Sequence, residues 1–395
     1  MTTDQRATTG QLHDDTSPAA WSAPHEQDPA VAPELVEVLR RNAAATEAAG
    51  RLVPESLDAL REAGCFSLAG TGDVARQAPR VVSVLQQLGA ACPASAWVVG
   101  LTTAVTGLLP LASDEAARAV AAAPGPVVEN FAPGSLAAAD DGFVLNGSWP
   151  YSSGSEVATW AMLAALQSTE GRPPRMRMTV VPTAQLRLVR TWDVAGLQGT
   201  GSHTLVAEDV AVPTGFVFDL PVDPDVTGRA VLLTTTFTTA SIVGMASGAL
   251  GIAAALVAGT KGPTRTRYTS YAESPGARAL YAGARARIAN ASARVASVAA
   301  VLAGQADGSG AAPLDRAARL GLRHSLVVAV REAREAVDDL CDLHGSSAFT
   351  RSNPLQRFWR DIGVGSRHLG LRQYIVDEDL ARAAVGRDDF AAAMS

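Results

Sequence analysis

Three short segments and one histidine carry the side chains that could do chemistry. The first segment is Trp149-Pro-Tyr-Ser-Ser-Gly154. Its hydroxyls, Ser152 and Ser153, stand beside a glycine and two aromatic rings, Trp149 and Tyr151. Glycine allows close backbone approach, so such a turn can present N–H and O–H groups to a planar polar ligand. The second segment is Gly196-Leu-Gln-Gly-Thr-Gly-Ser202, where backbone donors with Thr200 and Ser202 could hold a ring or a phosphate. The third, Leu343-His-Gly-Ser-Ser-Ala-Phe-Thr-Arg-Ser-Asn-Pro-Leu-Gln-Arg-Phe-Trp-Arg-Asp361, ends in the charged set Arg357, Arg360 and Asp361. His368 follows, an imidazole able to hold or pass a proton near neutral pH. Each feature also has a plainer reading. A Ser-Ser-Gly run can be only a turn between strands. The arginines and Asp361 can form helix-end ion pairs. His203 can be a turn histidine that bonds the backbone, and His368 a satisfied core histidine on a helix.

The elements that must position these residues change period twice. From Pro33 the pattern is helical: Pro33 suits a first turn, Leu35, Val38 and Leu39 share a face, and Gly50 closes the segment. Pro54–Gly64 repeats that grammar, Pro79–Gly89 and Ala94–Leu109 continue it, and Ser113-Asp-Glu opens a further helix with acids at its positive end. Between residues 125 and 222 the runs become short and strand-like: Val127–Phe131, Gly142–Trp149, Trp160–Leu166, Met176–Val181, Leu186–Trp192 and Leu205–Val212. Turn residues such as Pro133-Gly, Asp140-Asp-Gly and Pro213-Thr-Gly separate them. This spacing predicts a small antiparallel barrel or sandwich. Beyond residue 223, Thr234–Thr260, Gly276–Gly304, Ala312–Gly345 and Leu355–Val385 read as four long helices, a natural bundle broken most clearly at Gly304–Gly310. The expected organisation is therefore a polar tail over 1–30, carrying His13 and His25, a helical domain over 31–124, a β domain over 125–222 and a helical bundle over 223–395.

Composition excludes some classes. The 395 residues can bury a large core, and 47% are apolar. A net charge of −6 with no basic run argues against nucleic acid as a partner. Lys261 is the lone lysine. Cys65, Cys92 and Cys341 are isolated, without metal-binding spacing, and read as buried thiols in a reducing cytoplasm. No charged n-region precedes an apolar run at the N-terminus, so no signal peptide is expected. The apolar stretch Ile242–Thr260 lacks flanking anchors and reads as a core helix, so no membrane association is expected.

The helix–strand–helix order and the three segments together resemble the acyl-CoA dehydrogenase fold. Within it they resemble the branch that uses reduced flavin to activate oxygen. That branch carries a Trp-x-aromatic-x-Ser-Gly word, matched here at Trp149, Tyr151, Ser153 and Gly154. The glycine-rich loop resembles the family's Gly-x-Arg-Gly-Thr-Gly-Ser, with Gln198 where an arginine is common. The third segment resembles the family's Gly-Ser-x-Ala…Pro-Leu-Gln-Arg…Arg-Asp run. Many acyl-CoA dehydrogenases place a catalytic glutamate nine residues after the arginine of Arg-Asp, where this chain has Leu369. Without that base, α-proton abstraction from a thioester loses its agent. Two other positions depart from relatives: Val105 stands where some carry a histidine, and Ser67–Ala75 lacks their Pro-x-x-x-Gly-Gly word.

The resemblance implies a two-component flavin-dependent monooxygenase. A separate NAD(P)H-dependent flavin reductase would supply reduced FMN or FAD, since no Gly-x-Gly-x-x-Gly fingerprint follows a strand. The reduced flavin would meet O2 to form a C4a-hydroperoxide in a water-poor pocket, and oxygen would pass to carbon or nitrogen of a small substrate. By the same resemblance, Trp149, Tyr151, Ser152, Ser153, Thr200, Ser202 and Arg357 bind the cofactor and Trp160 packs nearby. Ser153 and His368 stabilise the oxygenated state. A cytoplasmic homotetramer and a role in specialised metabolism are also implied. Two alternatives stand beside this: a dehydrogenase with its base elsewhere, and a non-catalytic relative that binds a ligand or partner.

Overall fold

A computed structural model describes residues 31–70, 72–169, 171–220, 224–258, 267–306 and 314–387. The tail with His13 and His25, Lys261, and most of Gly304–Gly310 lie outside the described residues. The described residues begin with five α-helices: α1 (Pro33–Ala49), α2 (Pro54–Glu62), α3 (Ala78–Ala91), α4 (Pro93–Thr106) and α5 (Asp114–Ala122). Proline at the first turn starts α1 and α2, where its missing N–H costs nothing. Gly50 ends α1 in the left-handed region at φ 65°. Ser113 caps α5, its hydroxyl accepting from the N–H of Ala116. Helix α4 is buried all round, from Pro93 to Val105, which makes it an internal wall rather than a surface helix.

Seven strands follow: β1 (Val127–Ala139), β2 (Gly142–Ser152), β3 (Trp160–Thr169), β4 (Arg172–Pro182), β5 (Arg187–Val189), β6 (His203–Pro213) and β7 (Val217–Asp219). They form one sheet in the order β5-β6-β2-β1-β3-β4-β7. The all-antiparallel expectation needs correction, because β1 and β3 run parallel, Val127 opposite Trp160. The cause is the connection. After the β2 turn the chain crosses back along Glu156–Thr159 and re-enters beside the start of β1, where Thr159 N–H donates to Pro126 O. One face of the sheet buries Val128, Leu145, Trp149, Leu163 and Leu205. The other buries Val127, Met162, Met178 and Phe218 against Val105 and Val120.

Three long helices, α6 (Pro224–Val257), α7 (Pro275–Ala306) and α8 (Arg316–His344), pack on one another. The fourth long helix expected over Leu355–Val385 is two helices, α9 (Pro354–Gly365) and α10 (Gln373–Ala384). The break has a local cause. Carbonyls of Ile362, Val364 and Gly365 are satisfied by the N–H groups of Ser366, Arg367 and His368, and His368 then turns extended at ψ 145°. His368 therefore sits in a kink and not on a helix, a second correction.

The N-terminal and C-terminal helices share one core: Leu85, Leu88 and Val99 pack with Leu232, Phe237, Val243 and Val298. Glycine permits the closest approach, since a Cβ on Gly89 would meet Ser241 O at 2.6 Å. Pro93–Leu111 and Gly228–Val257 are long and apolar enough to cross a bilayer. Here they supply much of this interior: Trp97, Val99, Phe237, Ile242 and Met245 are buried. The three cysteines are free and buried. Burial pushes the Cys65 thiol up to about 11 and Cys341 up to about 12, and both stay protonated at neutral pH.

Candidate functional site

The first two segments are joined directly. Gly154 takes φ 80°, a conformation open to glycine, and its N–H donates to Thr200 O at 2.7 Å. The Ser155 hydroxyl donates to Gly201 O at 2.8 Å. Across this seam three hydroxyls line up. Ser153 Oγ lies 2.9 Å from Ser202 Oγ, Ser202 Oγ lies 2.8 Å from Thr200 Oγ1, and Thr200 donates to Leu197 O at 2.7 Å. Thr200 and Ser202 are buried, while Ser153 is half-buried at the open end.

The third segment holds the glycine-rich loop from behind. The Asp361 carboxylate accepts from Leu197 N–H, and Arg360 donates to Ala195 O and to Glu47. Burial pushes the Asp361 carboxyl up to about 7, with the Leu197 N–H opposing. Leu197 stands at φ 52°, an unusual place for a branched residue, and the Asp361 contact fixes it there. Arg357 is 3.8 Å from Glu47 and leaves Nε buried without a partner. It lines a small cleft with Thr46, Cys92, Gln198 and Asp361, on the α1 side of the loop. Gln198 turns inward and donates to Val194 O.

Helix α4 is the wall on which the parts converge. Gly154 packs against Val98, where a Cβ would meet Val98 Cγ1 at 3.2 Å. The neighbouring Trp97 meets the His368 ring edge-on, centroids 5.6 Å apart, and also packs on Gly365 and Leu197. His368 is half-buried with Nδ1 buried and unpartnered. Burial, reinforced by the Arg372 charge, lowers its pKa to about 4, so the imidazole is neutral at physiological pH.

Other expected residues stand further back. Trp149 is fully buried in the sheet and donates Nε1–H to Ala164 O at 3.1 Å. Its indole is a support, with its polar atom used. Ser152 is also buried, donating to Trp149 O and accepting from Asn130. Tyr151 is 73% exposed at φ 61° and packs edge-on to Trp192. Trp160 stacks on Phe216, centroids 6.1 Å apart, rather than joining the hydroxyls. His203 accepts at Nδ1 from the N–H groups of Thr191 and Trp192, so it does bond backbone, but from the start of β6 and not from a turn. Its Nε2 lies 3.1 Å from Glu156, which also pairs with Arg190 and Arg51. Leu369 is exposed and brings no base.

Glu129 was not anticipated. It stands on β1 between Val127 and Phe131, on the face packed with Val105 and Met162. It has no hydrogen-bond partner among the described residues, and burial pushes its carboxyl up to about 8. The neighbouring Asn130 donates to Pro150 O at 2.6 Å and so ties β1 to the Ser152-Ser153 turn. A Glu-Asn pair inside an apolar run, Val-Val-Glu-Asn-Phe, is the signal that could have marked both.

The chain matches the acyl-CoA dehydrogenase C-terminal domain over residues 237–373. It is 30% identical to the oxygenase subunit HsaA of a flavin-dependent monooxygenase from Rhodococcus jostii, over 85% of this chain and 92% of that one. It is 29% identical to the oxygenase component of an FADH2-dependent resorcinol hydroxylase from a Rhizobium species, over 89% and 92%. Among solved structures it resembles XiaF of a Streptomyces species, in complex with FADH2 and glycerol, with a TM-score of 0.79, 27% identity, and coverage of 90% of this chain and 96% of that one. With the Ser153–Ser202–Thr200 hydroxyls and His368 set on one helical wall, these likenesses place the chain in a family: it belongs to the oxygenase subunits of flavin-dependent monooxygenases with the acyl-CoA dehydrogenase fold.

Proposed function

We propose that this chain takes reduced FMN or FAD from a separate NAD(P)H-dependent reductase and uses O2 to hydroxylate an aromatic substrate at carbon. The observation that carries this is the joining of the Ser153 turn, the glycine-rich loop and the His368 kink on helix α4. The described residues fit a flavin in chemical type. They offer a half-buried hydroxyl and two buried polar atoms without partners, His368 Nδ1 and Arg357 Nε. A flavin ring and its phosphate need such donors and acceptors.

The bound reduced flavin would supply two electrons to O2. One oxygen atom enters the substrate in place of hydrogen, and the other leaves as water. The chain's own part is to orient, exclude water and handle protons. Ser153 holds the ring through the hydroxyl chain. His368, neutral and walled by Trp97, brings no charge into the resting site and offers the unpartnered ring nitrogen Nδ1 for hydrogen bonding or proton transfer. Trp149 and Asn130 keep the Ser152-Ser153 turn in place. Attack at aromatic carbon, rather than nitrogen, is favoured by relatives named resorcinol hydroxylase and indole-3-acetate monooxygenase.

A cytoplasmic homotetramer with units over 31–124, 125–222 and 223–395 completes the proposal. The exposed side chains of Phe349, Trp359, Leu369 and Tyr374 support association through the C-terminal helices. The test is incubation with NADH, a flavin reductase, FMN or FAD, isotope-labelled O2 and a panel of phenols and indoles. One labelled oxygen atom in the product is expected. Flavin reduction by substrate alone, with no labelled product, would instead indicate a dehydrogenase.

A further inference from the structure

The hydroxyls of Thr200, Ser202 and Ser153 have a fixed direction. Each carries one proton. A carbonyl cannot donate, so the Thr200 proton is committed to Leu197 O at 2.7 Å. In the 2.8 Å contact that follows, Thr200 must accept and Ser202 must donate. With the Ser202 proton spent, Ser153 must be the donor in the last contact, at 2.9 Å. The Ser153 proton therefore points inward, and its half-buried oxygen offers only lone pairs outward.

The surroundings of the chain favour this order. Thr200 and Ser202 are only 2% and 3% exposed, so water does not compete for their protons. The backbone bond from Gly154 to Thr200 O and the bond from Ser155 to Gly201 O hold the seam on either side. Leu197 O also receives Trp192 Nε1–H at 3.0 Å and the Thr200 N–H at 3.1 Å, which hold the acceptor in place at the root of the chain; the 2.7 Å hydroxyl contact is the shortest of the three.

We propose that Ser202 and Thr200 are positioning residues that make Ser153 an obligate acceptor, so that the site selects a ligand presenting N–H at that point and disfavours one presenting a lone pair. The inference rests on the reading of Ser153 as a flavin contact. A reduced isoalloxazine carries a proton on N5, while the oxidised ring has only a lone pair there. The hydroxyl chain then acts as a redox discriminator. It favours capture of reduced flavin from the reductase and release of the oxidised ring after turnover. In the intact chain the Thr200–Leu197 bond sets the order, since every later proton follows from it.

The test compares dissociation constants for reduced and oxidised FMN and FAD, measured anaerobically by fluorescence or equilibrium dialysis. Wild type is compared with S202A, T200V and T200S. S202A and T200V free the Ser153 proton, so the reduced-over-oxidised preference should fall on the order of tenfold. T200S keeps a hydroxyl that donates to Leu197 O and should retain the wild-type ratio. A purely structural role would weaken both redox forms together and leave the ratio unchanged. An unchanged ratio in both S202A and T200V, with flavin still bound, overturns the inference and leaves the flavin reading standing. Failure of wild type to bind either redox form overturns that reading, and the inference with it.

Discussion

Replacing Gly196 with alanine should uncouple the glycine-rich loop from helix α9. A Cβ at Gly196 would run into the carbonyl of Arg360 and come within 2.8 Å of the Asp361 nitrogen. Both obstacles are backbone, so neither can swing aside. The loop must retreat by about an ångström to bring the approach to Arg360 O out to ordinary contact. That movement stretches the bond from Leu197 N–H to the buried Asp361 carboxylate. An underpaired buried acceptor costs about 1–3 kcal/mol, and overpacking costs a similar amount. The net loss should be on the order of 3 kcal/mol, seen as a lower urea midpoint. Thr200 and Ser202 ride on the same loop, so flavin affinity should fall with stability. Gly251→Ala is the contrast, because a Cβ there meets nothing within 4 Å on an exposed part of α6. It should be neutral or stabilising by up to about 1 kcal/mol. A Gly196→Ala protein with wild-type midpoint and flavin affinity would refute the claim that α9 positions the loop.

Three further outcomes follow from groups that the fold removes wholly or partly from water. Glu129, whose carboxyl sits at about 8, is held protonated by the fold, so its contribution to stability is lost as pH rises from the ordinary carboxylate range through about 8. Glu129→Gln should therefore raise the melting temperature, with a gain that grows toward alkaline pH, and a pH-independent difference would contradict this. His368 is held neutral, its pKa lowered to about 4, so its contribution is present near neutrality and is lost as pH falls from about 6.5 toward 4. His368→Leu should reduce the acid sensitivity of the melt by on the order of 3 kcal/mol, and equal acid sensitivity of variant and wild type would rule this out. Trp149→Phe removes the donor to Ala164 O and opens a void in the sheet, for a loss of about 1–3 kcal/mol in denaturant titrations. No loss would mean that the indole nitrogen does not support the turn.

Local grammar made much of the helical framework legible. Prolines 33 and 54, glycines 50 and 64, and Ser113 mark ends that the structure uses as caps and stops. Their effect is decided within one turn of backbone, so nearby residues suffice to read them. Partnering between distant strands is different. The parallel pairing of β1 with β3 depends on where Glu156–Thr159 returns, and no period in either strand encodes that. The break between α9 and α10 is likewise set by bonds that no period encodes, the N–H groups of Ser366, Arg367 and His368 closing the last turn of α9.

The candidate site was legible as words and not as roles. Ser153, Thr200 and Ser202 could each be named as polar groups near glycine, whereas the order of their protons appears only when Leu197 O is seen at the end. Trp149 looked like a ligand contact and is a buried support. Glu129 shows in the sequence only as a carboxylate in an apolar run; its raised pKa comes from the apolar residues that the fold gathers around it, Val105 and Met162 from other elements among them.

The central claim is tested most directly by stopped-flow mixing. Protein equilibrated anaerobically with reduced flavin is mixed with oxygenated buffer, and flavin absorbance is followed without substrate and then with a phenol. The account predicts reoxidation in distinct phases, with a slow final phase that the substrate shortens while hydroxylated product appears. Reoxidation with the single rapid course of free flavin, indifferent to the protein and to the phenol, would contradict it.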